Sequence, residues 1–128
     1  MSYGVELVLD LHDCDESRFD KAHIEPYLQK LCEKIDMQRA DLHWWDDADY
    51  PPEEQETSPH THGCSVVQIL VTTQFILTSS IVIHSLPKLK KIYINIFSCK
   101  DFDARVAEDY TRKCFDGTVV QSLFITRK

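Results

Sequence analysis

Val5, Leu7, Leu9 and Leu11 alternate with Glu6, Val8 and Asp10 behind Gly4, a period of two that predicts a first strand with one buried face. The period then changes. After Ile24-Glu25-Pro26, the apolar residues Leu28, Leu31, Cys32 and Ile35 fall at helical spacing, which predicts an amphipathic helix with the proline in its first turn. Leu42-His43-Trp44-Trp45 reads as a short second strand. β-Branched and apolar density returns from Cys64 to Leu77 and again from Ile81 to His84, and Ile92, Ile94 and Ile96 alternate with Tyr93, Asn95 and Phe97. A last helix opens at Asp101 or Asp103, whose side chains can cap free amides; it turns Val106, Ala107, Tyr110 and Cys114 inward and stops at Gly117. Thr118 to Thr126 supplies a final strand. This order predicts an α+β two-layer sandwich, an antiparallel sheet with two main helices on one face. The opposite sheet face is poor in polar residues on its central strands, so a homodimer packed sheet to sheet or edge to edge is expected.

Composition narrows the class. A chain of 128 residues, 43% apolar and 27% charged, is long enough for one core and too short for two, so a single domain is expected. Between Trp45 and His60 the stretch DDADYPPEEQETSP combines acids with prolines and has little to bury, which predicts a mobile acidic loop over about 46–60. No run reaches the roughly 18 apolar residues of a membrane span, and MSYGVELVLDLHD lacks the basic-then-apolar order of a signal peptide. A cytoplasmic location with no membrane partner is expected. Cys14, Cys32, Cys64, Cys99 and Cys114 are odd in number and form no CxxC pair, so free thiols are expected. The formal charge of −7 argues against a nucleic-acid partner, whose phosphates need cations, and favours a small cationic ligand.

Chemistry concentrates in ILTSSIVIHSLP, Ile76 to Pro87, where Thr78, Ser79 and Ser80 interrupt a β-branched run. Taken alone, these hydroxyls read as turn formers that bond nearby backbone groups. They do not stand alone: His84 follows Ser79 by five residues, and Cys99 follows by twenty inside NIFSCKDFD. A lone strand histidine is more often structural, and a cysteine among Ile and Phe more often fills a core. HTHGC offers His60, His62 and Cys64 as ligands, with His43 and Cys14 as completions, yet a fourth ligand is unassigned and no metal is expected. Trp44-Trp45 beside Asp46-Asp47 offers ring faces to a cationic group, the plainer reading being one tryptophan in the core and one at the surface.

The combination resembles the prokaryotic-type S-adenosylmethionine decarboxylases, small pyruvoyl enzymes. The resemblance runs through GVELVLDLHDCD, through Ser79, His84 and Leu86-Pro87, and through YINIFSCKDFD with Cys99 to the terminal DFDARVAEDYTRKCFDGTVVQSLFITRK. It implies that the Ser79 hydroxyl attacks the carbonyl of Thr78, and that the resulting ester eliminates to split the chain between 78 and 79. A pyruvoyl group derived from Ser79 is then the cofactor, with no external one. Such a carbonyl forms a Schiff base with a substrate amine and accepts the electrons left when carbon dioxide departs. By the same resemblance His84 serves the proton transfers of processing, Ser65 in GCSVVQ is the favoured upstream processing residue with Thr72 or Thr73 as the alternatives, and Cys99 returns a proton to the substrate. Leu86 and Trp44 are the candidate substrate contacts.

Two departures from the family pattern matter. Thr78 and Ser80 stand where the family has Glu and His around the serine, and Leu86-Pro87-Lys88 stands for Trp-Pro-Glu, whose acid is associated with ribose hydroxyls. Lysine accepts no hydrogen bonds. The expected substrate is S-adenosylmethionine, giving the aminopropyl donor for spermidine; the alternatives are arginine or ornithine, or an uncleaved homologue that binds without catalysing.

Overall fold

The computed structural model describes residues 2–45, 64–71 and 77–128. The alternating opening segment forms β1 (Gly4–His12), and the helical spacing that follows forms α1 (Lys21–Lys34). Next come β2 (Gln38–Trp45), β3 (Cys64–Val71), β4 (Leu77–Leu86) and β5 (Lys91–Ser98), then α2 (Ala104–Phe115) and β6 (Thr118–Arg127). The strands make one sheet in the order β2-β3-β4-β5-β1-β6, with every neighbouring pair antiparallel. Both helices pack on one face, so the architecture is the expected α+β sandwich.

Register fixes which residues share that face. Leu7 opposes Ile96, Leu9 opposes Ile94 and Leu11 opposes Ile92, while Ile81 and Ile83 lie across β5 from Ile96 and Ile94. All are buried, and from the helices Ile24, Tyr27, Leu28, Leu31, Ala107 and Phe115 close over them. Each such aliphatic side chain contributes roughly 1.5–3 kcal/mol on leaving water. The intervening positions, Glu6, Val8, Asp10, Ser80, Val82, His84, Tyr93, Asn95 and Phe97, form the open face.

Local expectations hold with four corrections. Pro26 sits in the second turn of α1, because Asp20 caps the helix earlier by accepting from the His23 N–H. Pro26 and Ala22 are both exposed, so water can satisfy the carbonyl that loses its partner. Val106 is not turned inward: it is exposed, and Ala107, Thr111 and Phe115 carry the buried stripe of α2. The left-handed residue ending α2 is Asp116, at φ 48°, rather than Gly117. Gly117 is required for another reason, since a Cβ there would stand 2.6 Å from the Cys14 Sγ. Finally, Thr78, Ser79 and Ser80 make no turn; they lie within β4, opposite Leu70, Ile69 and Gln68 of β3. The expected acidic loop lies outside the described residues.

Candidate active site

A serine in a core strand needs a partner for its hydroxyl, and Ser79 is 2% exposed on the helix face of β4. Its partner is the chain just beyond β5: the Cys99 N–H donates to Ser79 Oγ at 3.3 Å. The turn that brings Cys99 there is held by Ser98, buried, whose Oγ donates to the Lys100 carbonyl at 2.6 Å and accepts from the Lys100 N–H at 3.0 Å. Lys100 Nζ in turn reaches the carbonyl and carboxylate of Asp36, which stands left-handed at φ 57° after α1. That ammonium holds the Asp36 carboxyl below its ordinary range. Two residues twenty apart in sequence therefore meet through a braced turn.

The Cys99 thiol is partly exposed and lies 3.6 Å from the Tyr3 hydroxyl, a contact that raises the tyrosine pKa. Around it the open face carries a compact polar-aromatic group. The Tyr3 ring stacks on Phe97 with centroids 5.9 Å apart, and the Arg127 guanidinium lies 5.5 Å from the Phe97 centroid. Glu6, half-buried, accepts from Arg127 at 2.6 Å and from the Asn95 amide at 2.9 Å. The cation seated between this carboxylate and the ring face is the chain's own Arg127. Sequence reasoning missed Tyr3, Glu6, Asn95, Phe97 and Arg127 as a group. The available signal was a polar residue at an alternate position of each apolar strand, Glu6 and Asn95, which burial of one face alone does not require.

His84 stands elsewhere. It is on the same strand as Ser79 but of opposite parity, exposed on the open face, across from Tyr93 and Cys64. Five residues of extended chain place the two α-carbons about 16 Å apart. Ser65 of β3 is opposite Ile83, so it belongs to the His84 end of the sheet, about 13 Å along from Ser79. Thr78 lies in β4 opposite Leu70. Leu86 ends β4 on the open face and leads into a single 3-10 turn, Pro87–Leu89, on which Lys88 is exposed. Trp44 is on the helix side of β2, packed against the core, with Lys21 Nζ 5.6 Å from its ring centroid. The chain thus brings Ser79 to Cys99 at one end and Ser65 to the neighbourhood of His84 at the other. Among the described residues no group of three or more His, Cys, Asp or Glu side chains is placed to hold a metal ion, and His60 and His62 lie outside them. No helix among those residues is long and apolar enough to cross a membrane.

A family model for S-adenosylmethionine decarboxylase matches residues 5–128. The chain belongs to that family. A solved adenosylmethionine decarboxylase from Aquifex aeolicus shares the fold with a TM-score of 0.68 at 17% identity, over 98% of this chain and 91% of that one. Comparison with curated protein sequences finds no match. In the S-adenosylmethionine decarboxylase fold seen here, the two helices cover one sheet face and leave Cys99, His84 and the Glu6 group reachable from the other.

Proposed function

We propose that this protein is a self-processing, pyruvoyl-dependent decarboxylase acting on S-adenosylmethionine, with Ser79 as the precursor of its carbonyl. The carrying observation is the Cys99 N–H bond to Ser79 Oγ, made inside a family match that spans nearly the whole chain. A buried serine whose oxygen accepts an N–H is held in one orientation beside the Thr78–Ser79 peptide. In processing, the oxygen bonds to the Thr78 carbonyl carbon as the peptide C–N bond breaks, the hydroxyl proton ending on the freed nitrogen. Elimination then removes the Ser79 α-proton and leaves the oxygen on the Thr78 carboxylate; water completes the conversion with loss of ammonia. The carbonyl so made supplies an electron sink for decarboxylation of an amine-bearing substrate. The Cys99 thiol, partly exposed beside the Tyr3 hydroxyl, is the nearby proton donor.

Ser79 and His84 occupy opposite faces and opposite ends of β4, so one chain does not join them. A homodimer with open faces together and strands antiparallel sets the Cys99 end of one copy beside the His84 end of the other, so that the partner's imidazole approaches the Thr78–Ser79 peptide from the face opposite the Ser79 hydroxyl, giving two shared sites. Lys88, in place of the family's acid, removes an acceptor for ribose hydroxyls, which leaves a second reading in which a basic amino acid is the substrate. Denaturing electrophoresis with intact mass tests the first claim: purified protein resolves into residues 1–78 and a blocked 79–128 fragment, and Ser79→Ala stays whole. A wild-type chain that stays whole defeats the catalytic reading, and carbon dioxide release from labelled S-adenosylmethionine, arginine and ornithine separates the substrates.

A further inference from the structure

β6 ends the sheet order, so among the described residues its outer edge meets no other strand. It is a long edge, ten residues, and Thr118 to Thr126 carry no charge in a chain that is 27% charged. Val120 is 50% exposed, Leu123 and Phe124 46% and Ile125 42%. The sequence of the other edge strand, β2, includes the charged residues Arg39 and Asp41. A long, uncharged edge with N–H and C=O groups facing outward pairs with another strand unless something covers it.

The geometry points to antiparallel pairing of β6 with β6 of a second copy of this chain, about a two-fold axis through Phe124. Leu123 and Ile125 oppose Val8 and Glu6, which puts them on the open face; Ser122, Phe124 and Thr126 are on the helix side. A two-fold axis perpendicular to the sheet keeps every side chain on its own face, so opposed residues lie an even number apart. With the axis at Phe124, that ring meets its own copy, Leu123 meets Ile125 twice, Ser122 meets Thr126 twice and Gln121 meets Arg127. Apolar residues meet apolar ones and polar meet polar. One residue earlier, at Leu123, the axis would set Ile125 against Gln121 and Phe124 against Ser122. At Ser122 the pairing would cross the bulge that the strand makes between Val119 and Gln121. The charge pattern agrees, because two molecules of net charge −7 approach along a strip that holds no carboxylate. Cross-strand pairs of this kind are the unit that stabilises a sheet. This contact uses the sheet edge and no residue of the processing chemistry, so it stands whether or not the chain cleaves itself.

Sedimentation equilibrium at micromolar concentration tests it. Phe124→Glu and Phe124→Lys each halve the assembly mass, and an equimolar mixture of the two restores it, since opposite charges then face each other on the axis. Phe124 touches the Phe102 ring, so a second pair of variants is confined to exposed positions. Ser122→Glu with Thr126→Glu dissociates the assembly, whereas Ser122→Lys with Thr126→Glu keeps it. Circular dichroism melts identify any variant that fails to fold. A wild type that sediments as one chain, or unchanged mass in the folded glutamate variants, overturns edge pairing; a mixture that does not reassociate overturns the axis at Phe124.

Discussion

Hydroxyls inside β4 are explained residue by residue. Ser79 is buried because its neighbours Ile81 and Ile83 set the parity of the strand, and it is tolerated because a backbone N–H reaches its oxygen. Thr111 shows the same economy on α2: its Oγ1 donates to the Ala107 carbonyl and therefore accepts from the buried Tyr27 hydroxyl at 2.7 Å. Cys14 is the residue whose environment predicts a pH effect. Burial, with Asp13 and Asp116 nearby, pushes its thiol from 9.0 up to about 11. The folded value is the raised one, so this stability is fully present below pH 9.0 and is lost as the pH rises through about 11. Urea titrations across that window show a falling midpoint, and Cys14→Ala flattens the fall; equal slopes in both proteins would remove Cys14 as its cause.

At the scale of elements, caps decide boundaries that hydrophobic spacing leaves loose. Asp103 accepts from the N–H groups of Arg105 and Val106, which fixes the start of α2 and settles the choice between it and Asp101. Asp103→Ala costs about 1 kcal/mol in a chemical denaturation, the typical loss for a capping carboxylate, while Asp101→Ala costs little. Asp20 does for α1 what the proline does not, since an N–H acceptor one turn earlier stabilises helix that the apolar stripe never reaches. Strands leave a sharper mark in the sequence than helix ends do. Val5 to Leu11 and Ile92 to Ile96 alternate because one face is buried and the other is not, and a period of two leaves a mark that survives without any neighbour. Thr78 to Ser80 misled because a hydroxyl's use depends on which chain lies opposite, and that is not local information.

For the whole molecule, the separation of Ser79 from His84 has a measurable consequence. If two copies share each site, Ser79→Ala and His84→Ala chains are each inert in processing, yet a mixture refolded together cleaves the His84→Ala chain using its partner's imidazole. Intact mass of that mixture checks this, and absence of the 79–128 fragment would place both functions within one copy. By itself the sequence determined the strand and helix order, the two-layer α+β class and the residues Ser79, His84 and Cys99 as objects of attention, because periodicity and family spacing are written along one dimension. Tertiary structure alone decided that Cys99 meets Ser79 while His84 faces the other way, that Glu6, Phe97 and Arg127 gather from three strands, and that β6 rather than β2 is the uncharged edge. Those facts depend on which strands are neighbours and on strand parity across the sheet, and neither quantity exists until the chain has folded.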